Sequence, residues 1–376
     1  MAKSIIGLDG PSDRRSFLKK GIVAGAVGAG IAMLPGASSI LAHAKERDRT
    51  PLSKGDEALL RFAAAAELLE TDFWLQYNEL GGIQDREVHG GSGNKQYTAK
   101  LVKLDEDFPT YIHDNTDDEI SHETFLNAYL DANGGQAVNL DQFRTLHGSK
   151  ATGASRKLRL TNLTELTLDT SWWTRYRDAR HNPDLDPNFQ FSQAVKSLSQ
   201  GKFTAIPRTD DDLQPADHLQ AIANTAAFHM ATIEQGGNSL YPSMAQRASS
   251  VEVLRILISI GPTETMHFQT WSDVCGAAVS DPLAPLTDPT NGLHFPNLDD
   301  RDNNRFLPPL IMPEPCPFLS TDLPACSVIR PTATDGVAMG VVNFLTSMGL
   351  FAGQSQDFFD FITNLANEAD AAEREC

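Results

Sequence analysis

The segment 117-DDEISHETFL-126 places a glutamate and a histidine three residues apart, at Glu119 and His122. On an α-helix, residues three apart project from nearly the same face, so this spacing directs a carboxylate and an imidazole at one point. The pattern recurs at Glu264 and His267. With 17 Glu and 10 His in 376 residues, composition alone predicts about half a match by chance. The spacing therefore indicates a metal site only if other ligands accompany it.

Capping and stop signals predict four long helices, and each Glu-x-x-His pattern lies on one of them. Ser53 with Asp56 three residues later is a capping box, and Pro109 suits a first helical turn. A second capping box is formed by Ser249 and Glu252. The predicted helices extend from Ser53 to Gly81, from near Pro109 to Asn133, from Asp217 to near Tyr241, and from Ser249 to about Val279.

The other two predicted helices each carry a glutamate in an apolar run. Glu67 lies within AAAAELLE, and Glu234 lies within MATIEQ. Burying such charges without a partner would cost several kcal/mol, which a shared divalent cation would offset. The chain order is thus Glu, Glu-x-x-His, Glu, Glu-x-x-His, the carboxylate pattern of dimetal helix bundles. Glu70, one turn after Glu67, is the alternative ligand from the first helix.

Three features leave alternatives open. Thr116 and Glu119 also have capping-box spacing, so a helix starting at Thr116 would use Glu119 as a cap rather than as a ligand. Pro262 precedes Glu264 by two residues and should kink the helix or force a bulge, which would displace that corner of the site. Trp74, seven residues after Glu67, has no hydroxyl group that could hydrogen-bond near the site, which weakens any radical or proton-relay role at this position.

These patterns predict an all-α protein whose core is a four-helix bundle. A less periodic stretch separates the second and third helices, and we interpret it as a long crossover. Pro, Asp and Asn residues dominate a later segment, which indicates an ordered loop or lid. Two amphipathic stretches then predict a C-terminal helical hairpin packed on the bundle. The predicted organisation is a bundle over residues 45–280 with its crossover at 136–215, a loop at 281–334 and the hairpin at 335–376.

The first 44 residues have the form of an export signal. Arg14 and Arg15 precede a weakly hydrophobic Gly/Ala stretch. This stretch ends in an A-x-A cleavage motif, which predicts cleavage after Ala44. The motif resembles a twin-arginine (Tat) signal, which implies the Tat export machinery as a partner and a periplasmic or extracellular location. A plain secretory signal or a retained anchor is the alternative reading. Cleavage would leave no membrane segment.

Charge and cysteine spacing narrow the function classes. Removing residues 1–44 takes away five basic and two acidic residues, so the formal charge goes from −18 to −21. Nucleic acid as a partner is disfavoured because phosphate binding needs clustered Lys and Arg. Cys316 and Cys326 are candidates for a disulfide in an oxidising compartment. No C-x-x-C pair supports a rubredoxin-type iron site.

Several motifs together resemble the ferritin-like superfamily, and especially its exported group that includes desiccation-related proteins. The segment DDEISHETFL is similar to that group's Asp-Glu-x-x-His-x-x-Phe-Leu signature. Trp74 stands seven residues after Glu67, where the family usually has Tyr, and Tyr241 stands seven residues after Glu234. The resemblance covers roughly residues 53–280, and it implies a ferritin-like four-helix bundle.

The resemblance also implies a carboxylate-bridged centre of two iron or manganese ions. In that arrangement Glu67 and His122 would bind one ion, Glu234 and His267 would bind the other, and Glu119 and Glu264 would bridge the two. The implied activity is redox chemistry with oxygen or peroxide, or iron oxidation. The alternatives are a non-enzymatic stress-protective protein with structural or no metal, and peroxide disproportionation of the manganese-catalase kind.

Overall fold

The computed structural model of the 376-residue chain describes residues 52–178, 181, 188–299, 311–312, 326–327 and 334–375. Over these residues the chain forms eight α-helices and six two-residue strands. The helices are α1 (Lys54–Gly81), α2 (Lys95–Leu101), α3 (Phe108–Ala132), α4 (Ser171–Arg177), α5 (Ala216–Ala245), α6 (Val251–Gly276), α7 (Val337–Met348) and α8 (Gln356–Asp370). The strands are β1 (Leu146–His147), β2 (Leu158–Arg159), β3 (Leu286–Thr287), β4 (His294–Phe295), β5 (Ile311–Met312) and β6 (Cys326–Ser327), and they pair as β1–β2, β3–β4 and β5–β6, all antiparallel.

Several sequence expectations lie outside the described residues. Residues 1–44, with Arg14, Arg15 and the cleavage after Ala44, are among them, so the export signal stays a prediction. Cys316 is also outside, and the disulfide with Cys326 stays a prediction. Most of the predicted 281–334 loop is likewise not described beyond residue 299, so its role as a lid stays a prediction.

The long helices α1, α3, α5 and α6 form the bundle, with α1 packed on α3 and α5 packed on α6. The all-α prediction is confirmed. Ser53 caps α1 by accepting a hydrogen bond from the Asp56 amide at 3.0 Å, as the capping box predicts. The Asp56 carboxylate instead accepts from the amides of Ser249 and Ser250 at 2.8 and 2.9 Å. These hydrogen bonds connect the first turn of α1 to the start of α6.

Two internal prolines do not break their helices. We predicted that the third long helix ends near Tyr241, and this is wrong because α5 continues through Pro242 to Ala245. An interior proline costs about 3 kcal/mol, but the continuation buries Tyr241 and Met244 in the core. α6 likewise runs unbroken through Pro262. The displacement that we predicted for the residues just after Pro262 is therefore wrong.

At the level of these prolines, α5 and α6 approach closely. A Cβ atom placed on Gly261 would lie 2.9 Å from the Cβ of Tyr241, a separation that real Cβ contacts do not show. Only glycine permits this approach of the two backbones. The close crossing holds the second half of α6 against the bundle core.

The connection between α3 and α5 is anchored to α1 by polar contacts. The buried carboxylate of Asp72 accepts hydrogen bonds from the amides of Leu160 and Thr161, both at 2.9 Å, and pairs with Arg144 at 2.6 Å. Glu79 forms a buried ion pair with Arg159. These contacts satisfy two buried carboxylates of α1 with groups from the connection, so the connection packs as part of the core.

The two C-terminal helices pack against the bundle. α8 contacts α1 and α7, and α7 contacts α5. A surface ion pair between Arg61 and Glu368, at 3.1 Å, links α1 to α8. Among the helices in the described part of the chain, none combines the length and the apolar character that a bilayer crossing needs.

Candidate dimetal centre

Six side chains from the four bundle helices converge in the middle of the bundle. The four carboxylates are at most 1% exposed, and the two histidine side chains are 11% and 7% exposed. The structure thus brings together every residue of the predicted ligand set. The six residues are Glu67 from α1, Glu119 and His122 from α3, Glu234 from α5, and Glu264 and His267 from α6.

The cluster divides into two overlapping sets of four. In each set, one ligand atom from every residue lies within 4.8 Å of the others. Glu119 and Glu264 belong to both sets. The sets are Glu67, Glu119, His122 and Glu264, and Glu119, Glu234, Glu264 and His267. A pair of shared carboxylates between two end groups is the arrangement expected of a two-metal site.

In the first set, three carboxylates surround one ring nitrogen. His122 Nδ1 lies 3.0 Å from Glu119 Oε2, 3.3 Å from Glu67 Oε2 and 3.6 Å from Glu264 Oε1. The hydroxyl of Tyr241, from α5, donates a hydrogen bond to Glu67 Oε1. Tyr241 therefore holds one oxygen of Glu67, and the other oxygen faces His122.

The second set is organised around the other histidine. His267 Nδ1 lies 3.2 Å from Glu119 Oε1 and 3.4 Å from Glu234 Oε2. Its Nε2 lies 3.2 Å from Asp118 Oδ2. A carboxylate on the outer nitrogen fixes the ring orientation and raises the basicity of the inner nitrogen, as is common for histidines that bind metals.

Asn115 holds the two halves together, and the sequence analysis did not identify it. Its side-chain amide donates to Glu119 Oε1 and to Glu234 Oε1, both at 3.0 Å. Its carbonyl oxygen accepts from the indole of Trp271 at 2.8 Å. The available signal was its position four residues before Glu119, which places both on one helix face.

Burial and mutual charge shift the pKa values of the cluster strongly. Burial raises the pKa of Glu67 to about 8, and it raises the pKa values of Glu234 and Glu264 as well. Burial alone would lower the pKa of His122, but the charges of Glu67 and Glu119 outweigh it and raise that pKa to about 12. Burial opposes ionisation of Glu119, yet His122 and His267 hold its pKa well below the usual range. Without metal, the cluster therefore retains protons at neutral pH.

The donor set fits a pair of cations. Both oxygens of Glu264, one oxygen of Glu67 and one of Glu234 are buried without a hydrogen-bond partner among the described residues. Leaving such atoms unpaired costs free energy that cation binding recovers. Two divalent cations would balance four carboxylates and two neutral imidazoles. Oxygen-rich ligation with imidazole suits iron and manganese.

Gly237 on α5 makes room for one shared carboxylate, which yields a prediction with a neighbouring control. A Cβ atom on Gly237 would lie 2.3 Å from Glu264 Oε2, whereas one on Gly236 would meet nothing within 4 Å. We expect Gly237→Ala to displace the Glu264 carboxylate and weaken metal binding by about 10-fold or more. Isothermal titration with Mn²⁺ measures the change.

Gly236→Ala is the matched control for that substitution. It should leave Mn²⁺ affinity unchanged and raise stability by up to ~1 kcal/mol through better helix propensity. Equal Mn²⁺ affinities for the two variants would show that Gly237 does not shape the site.

Two alternative readings of the cluster are resolved by the helix positions. Glu70 belongs to neither ligand set and instead borders a small cavity of about 30 Å³ beside Phe73 and Phe344, so Glu67 is the α1 residue in the cluster. The capping role considered for Glu119 is wrong because α3 begins at Phe108, eight residues before Thr116. The Trp74 indole is buried, and its ring stacks 5.2 Å from that of Trp271.

Comparison with known proteins identifies the family of the chain. The family model described as "Ferritin-like domain" matches residues 55–277, which extend from the second residue of α1 to just past the end of α6. No curated protein and no solved structure matches the chain. The matched range includes all six residues of the cluster.

Proposed function

The chain belongs to the ferritin-like family, and from this premise we propose that it is an exported protein that binds two iron or manganese ions. We propose further that the ions serve redox chemistry with oxygen or peroxide, including iron oxidation. One observation carries the proposal, namely that two sets of buried ligands share Glu119 and Glu264. The export part rests on the signal-like residues 1–44.

Each end of the cluster would hold one ion. Glu67 and His122 would bind the first, Glu234 and His267 the second, and the shared carboxylates would contact both. When bound, two redox-active cations would supply electrons to an oxygen–oxygen bond, or accept them from peroxide or a ferrous substrate. Thiolates are absent from the set, which disfavours the softer metals.

The surrounding residues orient this ligand set through hydrogen bonds. Tyr241 fixes Glu67, and Asn115 fixes Glu119 and Glu234 through direct hydrogen bonds. Trp271 in turn fixes Asn115, because its indole donates to the side-chain carbonyl oxygen of Asn115. His122 has the most exposed side chain of the ligand set, so a small molecule would reach the site past its ring.

The same geometry accounts for proton handling in the absence of metal. Burial raises the pKa of Glu67 to about 8, so this carboxyl keeps its proton at neutral pH. The neighbouring carboxylates raise the pKa of His122 and keep its ring protonated. Metal binding requires ionised carboxylates and neutral imidazoles, so loading should release these protons. Metal affinity is therefore expected to rise with pH.

Native export followed by metal and activity analysis tests the proposal. Protein purified without chelator should contain at least two iron or manganese ions per chain, and it should oxidise ferrous ion or consume peroxide. His122→Ala should abolish this turnover because His122 is a terminal ligand of one set. His147→Ala, an exposed histidine in β1, is the control and should change nothing.

The same assay separates the competing functions. Oxygen release from peroxide without any electron donor would favour the manganese-catalase-like reaction. Bound metal with no turnover in wild-type protein would instead favour the protective, non-enzymatic function. Protein without metal, together with unchanged stability of Glu264→Ala, would refute the dimetal proposal.

A further inference from the structure

A second group of metal-ligand side chains lies away from the central cluster. It consists of Asp85 and Glu87, in the loop after α1, and His113 on α3. One ligand atom from each lies within 4.8 Å of the others. We propose that these three residues form a separate site for one divalent transition-metal ion, and that the bound ion links the loop to α3.

His113 provides the observation that separates this group from an ordinary surface acidic cluster. The residue is 6% exposed, and its Nε2 lies 3.1 Å from Asp85 Oδ2 but has no aligned hydrogen bond within the described residues. Its other ring nitrogen lies 3.6 Å from Asp114 Oδ1. The buried Nε2 therefore faces the Asp85 carboxylate of the loop, as a metal ligand would.

The loop preorganises the two carboxylates. Asp85 Oδ1 accepts hydrogen bonds from the amides of Glu87 at 2.8 Å and Val88 at 3.2 Å. This turn fixes the Asp85 carboxylate with Oδ2 facing His113, and it brings Glu87 to the same side. The Asp85 side chain is 40% exposed, so an ion can enter from solvent and complete its coordination with water.

The site is independent of the central cluster. His113 precedes Glu119 by six residues, which is about 9 Å along the axis of α3. The two sites share no ligand. One imidazole with two carboxylates and open positions for water suits Zn²⁺, Co²⁺, Mn²⁺ or Fe²⁺. A cation here would join the loop to α3 by coordination, in place of the direct contact between His113 Nε2 and Asp85, because the same nitrogen would be the ligand.

Titration of the chelator-treated full chain with Co²⁺ tests the inference. Wild-type protein should bind three equivalents, and the double variant Asp85→Asn with Glu87→Gln should bind two, or lose at least 10-fold in affinity for one of the three. Glu106→Gln with Asp107→Asn makes the same charge change at exposed positions just before α3 and should retain all three. Circular dichroism checks that each variant is folded, and His113→Gln provides a second test should the double variant unfold.

Glu264→Gln distinguishes failure of this inference from failure of the dimetal proposal. That variant should retain one Co²⁺ equivalent, which the further change of His113→Gln removes. An unchanged Co²⁺ count after both loop substitutions would overturn the inference and leave the loop joined to α3 in the wild-type protein by the Asp85–His113 ion pair without a metal. Loss of every equivalent in Glu264→Gln alone would also overturn it, because the loop site would then not be independent.

Discussion

Glu264→Gln should remove both metal ions from the central cluster, whereas Glu67→Gln should remove only one. Glu264 belongs to both ligand sets and Glu67 to a single set. The neutral amide keeps the size of the side chain and deletes the negative charge that both ions would share. We expect affinity to fall by ~100-fold or more at each position that loses the ligand. Equilibrium dialysis followed by elemental analysis gives the metal content per chain.

Two further variants make this comparison specific. Glu234→Gln should mirror Glu67→Gln, because it removes a terminal ligand from the other set. Glu252→Gln changes an exposed glutamate in the first turn of α6 and should leave the metal content unchanged. Equal losses from Glu264→Gln and Glu67→Gln would contradict the assignment of Glu264 as a shared ligand.

Metal removal should lower the melting temperature and also reverse the direction in which stability changes with pH. Ligand at 1,000 times its dissociation constant adds ~4 kcal/mol to stability, which corresponds to a shift on the order of 10 °C. Glu67 has a pKa of about 8 in the folded protein and an ordinary value of 4.5. The folded state therefore keeps a proton that the unfolded state loses, and this contribution to stability declines as pH rises from 4.5 through 8.

His122 acts in the same direction at higher pH. Its pKa of about 12 exceeds the ordinary value of 6.5, so its contribution is complete below 6.5 and is lost as pH rises toward 12. The metal-free protein should thus melt at progressively lower temperature from pH 5 to pH 9. With metal bound, deprotonation assists ligation, and stability should rise over the same interval.

Differential scanning calorimetry of metal-free and Mn²⁺-loaded protein at pH 5, 7 and 9 measures both effects. Glu67→Gln in the metal-free state should flatten the part of the pH dependence below pH 8, because it removes that titrating group. Parallel pH profiles for the two states would contradict the exchange of protons for metal in the cluster.

Local signals in the sequence were sufficient for most of the bundle. Ser53 predicted the start of α1, and Pro109 lies in the first turn of α3 as expected. The ligand positions were predictable because a charged residue in an apolar helical run, as at Glu67 and Glu234, needs a partner when the run is buried. These inferences required only periodicity, capping and the cost of burying charge.

Other features depend on tertiary packing and had no local signal strong enough to predict them. Pro242 indicated a helix end, but the buried turn that follows it stabilises the continuation of α5. The short helix α2, capped by Asn94, was not predicted because seven residues carry little periodic information. Asn115 gained its role only from the approach of α5 and α6 to α3.

The group formed by Asp85, Glu87 and His113 was even less predictable from local sequence. Asp85 and Glu87 lie in an irregular segment, and His113 belongs to a helix that begins after α2. Their spacing in sequence resembles no metal-binding motif, and we did not identify them as ligands. The fold alone brings their side chains together.

Anomalous diffraction from crystals of the manganese-loaded protein tests the central claim most directly. The structure predicts two anomalous peaks inside the bundle, about 4 Å apart, with Glu119 and Glu264 contacting both and each of Glu67, His122, Glu234 and His267 contacting one. A single peak, no peak among these six side chains, or two peaks that do not share Glu119 and Glu264 would contradict it.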